Sequence, residues 1–257
     1  RIRFRKNMTE KIQNKILYKA NNNEISLGIR ISNSTEEIIE IAGLMGLDYV
    51  YLDAQHSPFT LPEIEKYCRL SQGFGLTTMI RIPDGERTTI LNYLDRGANV
   101  IQIPDLQTAK EAETFVKYTY FGPIGIRSST SLRTVMQVQD ASMDNRKNLY
   151  EFINKNTLII PQLESITAFN NLDSILKVDG ISFFAGGPED IAQSMGLPGE
   201  PLNPKVTKAY ADACSKVRSS GKFMLEDVSD MIDANDIIIK ETAELLKKHG
   251  RTPKWVT

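Results

Sequence analysis

The chain has 257 residues, enough for one large domain or two small ones. Hydrophobic residues make up 41% and charged residues 25%, which excludes a disordered chain, a collagen-like repeat and a disulfide-stapled miniprotein. Lys plus Arg is 31 against Asp plus Glu at 32, so the net charge of -1 gives no reason to expect a nucleic acid partner. In chain order, a first helix is predicted over Glu10–Lys19, followed by the run SLGIRIS (26–32). Ser34 or Thr35 with Glu36 and Glu37 offers a helix start, and Ile38, Ile41, Ala42 and Met45 give that helix an apolar face. DYVYLDAQH (48–56) precedes a helix opening at Thr60 with Pro62 in its first turn. TTMIRIP (77–83) leads to a helix through Ile90, Leu91 and Leu94, and NVIQIPD (99–105) leads to TAKEAETFVKY (108–118).

An irregular stretch, rich in Gly, Ser and Thr, runs from Phe121 to Asp144, with a helix after it near Asn145–Asn154. TLIIPQLES (157–165) then opens a helix of about ten residues. GISFFAGGPED (180–190), the linker LPGEPLNPK (197–205) and a helix from Lys205 to Ser219 follow. KFMLEDV (222–228) is the last strand candidate, before a long helix ending near Lys248. Short apolar runs alternating with helices predict an α/β fold with a parallel sheet buried on both faces. The strand candidates number seven, and a (β/α)₈ TIM barrel needs eight, so one C-terminal βα unit is expected to be missing or unseen between Lys222 and Ser229.

Cys68 and Cys214 form no C-x-x-C pair, which suits a reducing, cytoplasmic setting. No stretch approaches the roughly 18 apolar residues of a membrane span, so no membrane partner is expected. RIRFRKN lacks a following apolar signal core; residues 1–7 read as an added or processed piece, and 8–257 as one domain.

Polar residues gather at the strand C-terminal ends: Asp53 with His56, Arg81, Gln102 with Asp105, Gln162 with Glu164, and Glu189 with Asp190. That is where α/β folds place their sites. Of two histidines, His249 has a sufficient role at a helix C-terminus, whereas His56 either ties down a loop or serves as a base. Glu164 and Asp190 suit a hard divalent cation such as Mg²⁺, or they cap the helices that follow them. Arg81, inside an apolar strand, needs a partner: Asp53 or Asp95, or the oxygens of a carboxylate or enolate. GGPED lacks a P-loop pattern, and no lysine follows a strand end where a Schiff base would form. With one non-terminal histidine, a serine hydrolase gets little support.

Together these segments resemble the HpcH/HpaI family of metal-dependent pyruvate aldolases. LDAQHSP is similar to its D-x-E-H-[AGS]-P element, MIRIP to V-R-x, and YLDRGANVIQIP to L-D-x-G-A-x-x-[IVL]-x-[IVL]-P. YFGPIGIRS resembles the P-P-x-G-x-R-G loop, PQLES the Q-I-E-[ST] strand, and GGPEDIAQSMG the G-P-x-D-L-[SA]-x-x-x-G loop. The six lie in order from about Leu27 to Lys222. The resemblance implies a (β/α)₈ barrel, assembled as a hexamer, a trimer of dimers that exchange a C-terminal helix. It implies Glu164 and Asp190 as ligands of Mg²⁺, Mn²⁺ or Co²⁺, and Arg81 as the pyruvate and enolate clamp. It makes His56 the general base acting with Asp95, and it puts Gln162 and the backbone N–H groups of Glu189 and Asp190 around pyruvate. Asp53 and Gln55 stand behind them. The implied reaction joins a pyruvate enolate to an aldehyde, or cleaves a 4-hydroxy-2-oxo acid. A citrate synthase-like carbon–carbon ligase and a non-catalytic 2-oxo acid binder are the alternatives. Gln55 replaces the family's Glu, Ala54 a common Gly, and Ser128 the Gly after Arg127.

Overall fold

The computed structural model describes residues 13–33, 36–129 and 146–254. Eight strands form one sheet: β1 (Ser26–Ile31), β2 (Tyr49–Asp53), β3 (Thr77–Arg81), β4 (Val100–Ile103), β5 (Leu158–Leu163), β6 (Phe183–Gly186), β7 (Phe223–Met224) and β8 (Ser229–Asp233). Every pairing is parallel, in the spatial order β7-β6-β5-β4-β3-β2-β1-β8. The helices are α1 (Lys15–Asn21), α2 (Glu37–Met45), α3 (Leu61–Gly73), α4 (Arg87–Asp95), α5 (Ala109–Thr119), α6 (Arg146–Asn156), α7 (Ile166–Asn170), α8 (Leu172–Ile175), α9 (Pro188–Ser194), α10 (Pro204–Ser219) and α11 (Ala234–Lys248). The α/β alternation expected from sequence is the observed one.

Alternate residues of each strand serve two cores. Tyr49 and Tyr51 of β2, Met79 of β3 and Ile160 of β5 pack inside the curl of the sheet with Ile16 and Ala20 of α1. Val50, Leu52, Ile80 and Ile101 pack outward against the helices. α1 plugs the end where the strands begin, with its Lys15 N–H donating to Thr77 Oγ1 at 2.8 Å. The strand C-terminal ends are left open for a site.

Local signals account for the helix starts. Thr60 caps α3 and exchanges hydrogen bonds with Glu63, as Thr108 does with Glu111 at α5; each satisfies N–H groups that a first turn leaves free. Gly28 of β1 has a packing reason: a Cβ there would lie 2.2 Å from the Tyr49 ring. Ser34, Thr35 and residues 130–145 lie outside the described residues, as do residues 10–12 of the expected first helix.

The strand count is corrected to eight. β7 has only two residues, a 3-10 turn (Leu225–Asp227) follows, and β8 then pairs with β1 over five residues. What is short is a helix, because four residues replace the crossover that normally separates parallel neighbours. No ladder joins β7 to β8 among the described residues, so the sheet is a curled barrel wall with an open seam.

Candidate active site

A cavity of about 600 Å³ opens at the C-terminal ends of the strands. His56, Arg81, Gln162, Glu189 and Asp190 line it, as do Arg30, Tyr51, Tyr210 and Glu226. With Gln102, which also lines it, six positions expected from sequence share one cavity.

Asp53 is the electrostatic hub behind it. Its buried carboxylate accepts from Arg81 Nε at 2.9 Å, from Arg81 Nη2, and from Arg30 Nη2 at 2.6 Å. Burial alone would push this carboxyl up, but the Arg81 and Arg30 guanidinium groups hold it at about 2. The backbone N–H groups of Gln55 and His56 also donate to Asp53 Oδ1, each at 3.3 Å. One carboxylate therefore fixes the plane of Arg81 and the turn that carries His56.

Glu164 follows β5 and is buried. Its Oε1 accepts the Asp105 N–H at 2.7 Å, and its Oε2 accepts Gln162 Nε2 at 2.8 Å. Ser165, rather than Glu164, caps α7. Asp105 takes a left-handed backbone (φ 53°) to present that N–H, a geometry costing of order 1 kcal/mol that its surroundings must hold. Burial raises the Glu164 carboxyl to about 7, and the nearby Asp190 charge adds to the rise. Asp190 sits in the first turn of α9, whose N-cap is Gly187. A Cβ on Gly187 would come 2.5 Å from Glu164 Oε2 and 3.4 Å from Asp190 Oδ2. Both carboxylates therefore border one small space that only glycine leaves clear, and the buried Gln162 Oε1 beside them has no hydrogen-bond partner. Hard oxygen donors around a vacated volume fit a divalent cation with room for other ligands. Among the described residues no cluster of three or more His, Cys, Asp or Glu forms.

Two expected positions fall elsewhere. Asp95 ends α4, on the side where the strands begin, and pairs with the buried Arg127 at 2.8 Å. His56 lies past the opposite end of the sheet, so within one chain Asp95 does not stand beside it; a helix antiparallel to its strands carries its last residue away from the site. Gln55 faces a neighbouring cleft with Asp84, Glu86 and Asp105. Arg30 and Glu226 were not singled out from sequence. Arg30 carried the same signal as Arg81, a cation within an apolar strand, whereas Glu226 carried none. Tyr210 of α10 donates its hydroxyl to Glu226 Oε1 at 2.9 Å, and burial followed by the Glu226 charge pushes that hydroxyl well above its usual range.

A family model described as HpcH/HpaI aldolase/citrate lyase matches residues 27–254. A 2-keto-3-deoxy-L-rhamnonate aldolase of Klebsiella pneumoniae is 30% identical over 199 residues, covering 77% of this chain and 73% of the relative. Among solved structures, an HpcH/HpaI aldolase from Desulfitobacterium hafniense superposes with a TM-score of 0.81 at 23% identity, over 94% of this chain and 98% of the other. The citrate synthase SbnG gives 0.79 at 21%, over 93% and 98%. At such identities the superpositions speak to the fold.

Proposed function

Because this chain belongs to the HpcH/HpaI aldolase/citrate lyase family, we propose that it is a divalent-metal-dependent aldolase that forms or cleaves 4-hydroxy-2-oxo acids through a pyruvate enolate. The observation that carries this reading is the convergence of the Glu164 and Asp190 carboxylates on Gly187, in the cavity that also holds Arg81 and His56. Glu164 and Asp190 would hold Mg²⁺, Mn²⁺ or Co²⁺, which when bound supplies Lewis-acid polarisation of a chelating 2-oxo acid.

The protein's own residues do the rest. Arg81 is oriented by Asp53 through Nε and Nη2, and its Nη1 edge is available to the substrate oxygens that become the enolate. His56, exposed at the cavity, takes the C3 proton of pyruvate as general base. The enolate C3 then bonds to the aldehyde carbon, and the aldehyde oxygen receives a proton. Cleavage runs the same path backwards. Gln162 and the first-turn N–H groups of α9 at Glu189 and Asp190 position the 2-oxo acid. The ligase alternative uses the same enolate and differs in its acceptor.

Wider aspects of the reading rest on exposure and chemistry. Ile238 and Leu245 of α11 and Met231 and Ile232 of β8 are exposed apolar residues, which supports a homo-oligomer such as a hexamer built as a trimer of dimers. Cys68 and Cys214 are buried thiols, which suits a cytoplasmic setting, and no described helix is long and apolar enough to cross a membrane.

Deuterium exchange at C3 of pyruvate tests the enolate step without an acceptor. It should require added divalent cation, stop in EDTA, and fall about 10²–10⁴-fold in His56→Ala. Full exchange in EDTA sinks the metal assignment, and parent-rate exchange by His56→Ala means another group is the base.

A further inference from the structure

The cavity is lined by two guanidinium groups and four carboxyl side chains. Its cationic side chains, among the described residues, are Arg30 and Arg81, and both are hydrogen-bonded to Asp53. Glu226, Asp230, Glu189 and Asp190 supply the cavity's carboxylates, and Arg30, on the strand paired with β8, also lies 3.6 Å from Asp233. A carboxylate-bearing ligand beside Glu226 and Asp230 meets like charge.

Glu226 is fixed there from two directions. The 3-10 turn that presents it is clamped by Arg218, which donates to both oxygens of Asp227 at 2.7–3.1 Å. The Asp227 Oδ2 also accepts the Met224 N–H, which ties the turn to β7. From α10, Tyr210 reaches over Gly186, where a Cβ would lie 2.3 Å from the tyrosine hydroxyl, and that hydroxyl donates to Glu226 Oε1. No described residue donates to Glu226 Oε2. The arrangement leaves one carboxylate oxygen held and the other free to accept.

Building on the aldolase reading above, we propose that Glu226 is a specificity-determining residue that accepts a hydroxyl of an uncharged hydroxyaldehyde, with Tyr210 as the residue that positions it. The free oxygen supplies a charge-assisted hydrogen bond to a neutral polyol, and the same charge repels an acid-bearing aldehyde.

The test uses the full chain with pyruvate, divalent cation and two acceptors, glycolaldehyde and succinic semialdehyde. For each protein, kcat/KM for each acceptor is divided by that protein's own pyruvate C3 exchange rate. The parent should favour glycolaldehyde. Glu226→Gln should lower the glycolaldehyde-to-semialdehyde ratio about tenfold, a hydrogen bond to a charged group being of that order. Glu226→Lys should invert the preference. Tyr210→Phe should raise KM for glycolaldehyde more than it lowers kcat, and Glu226→Asp should recover part of the ratio. An unchanged ratio in Glu226→Gln and Glu226→Lys, with pyruvate exchange intact, overturns the inference alone. A parent that favours succinic semialdehyde does the same. Absence of pyruvate exchange in the parent overturns the aldolase reading and this inference with it.

Discussion

Asp53 shows how one buried carboxylate organises a site it does not line. Two guanidinium groups, Arg81 and Arg30, converge on its Oδ2, and without it they would repel each other beside the cavity. Breaking one side of a buried ion pair typically costs about 3–5 kcal/mol. Asp53→Asn should therefore lose about that much in urea unfolding and also weaken pyruvate binding through Arg81. The pH dependence has a definite sign. The folded-state value is depressed from 3.8 to about 2, so the contribution is complete above pH 3.8 and disappears as pH falls toward 2. The parent and Asp53→Asn stability curves should converge over that window; a constant gap down to pH 2 would show that the pair contributes nothing. Much at this scale was legible. His56, Arg81, Glu164 and Asp190 each stood at a strand end with chemistry that needed a partner. The place of Asp95 was not legible, because the sequence does not say at which end of the sheet a helix stops. Arg30 was less legible, because SLGIRIS marks a strand but not which carboxylate its cation meets.

At the scale of elements, the barrel wall depends on close approaches that only small residues permit. β1 crosses the ring of Tyr49, a fully buried side chain of β2, at Gly28. Gly28→Ala would place a methyl 2.2–2.5 Å from three ring atoms, and overpacking of this kind typically costs about 1–3 kcal/mol. The expected result is a lowered melting temperature with the strand-end cavity intact, since the inner layer must shift and not the strand ends. A melting temperature equal to the parent's would mean that the Tyr49 ring moves aside without cost. Strands whose two faces are covered were legible as apolar runs, and the capped starts of α3 and α5 as Thr-x-x-Glu. β8 was not. Its sequence, SDMID, puts polar residues in a strand whose middle is exposed, so the rule that parallel strands read as apolar runs fails at this edge. The abbreviated crossover before it removed the second cue, the helix that should have separated two strands.

At the scale of the whole molecule, the open seam sets where the fold is weakest. A closed barrel has no strand edges, whereas here, among the described residues, β7 and β8 each pair on one side. β7 contributes two residues, and β8 leaves Asp230, Met231 and Ile232 exposed. Local opening is easiest where few apolar contacts bury the backbone. β3, between β2 and β4, and β4, between β3 and β5, have ladders on both sides and fully buried cores. Native-state hydrogen exchange should therefore place the β8 amides well below those of β3 and β4 in opening free energy, and they should exchange before global unfolding. The measurement also tests self-association. If another copy covers β8 and the exposed apolar residues of α11, protection of β8 should rise with protein concentration while that of β3 stays fixed. Equal protection of β8 and β3 at every concentration, including those where the protein is monomeric, would show that the seam is no weaker than the rest of the wall.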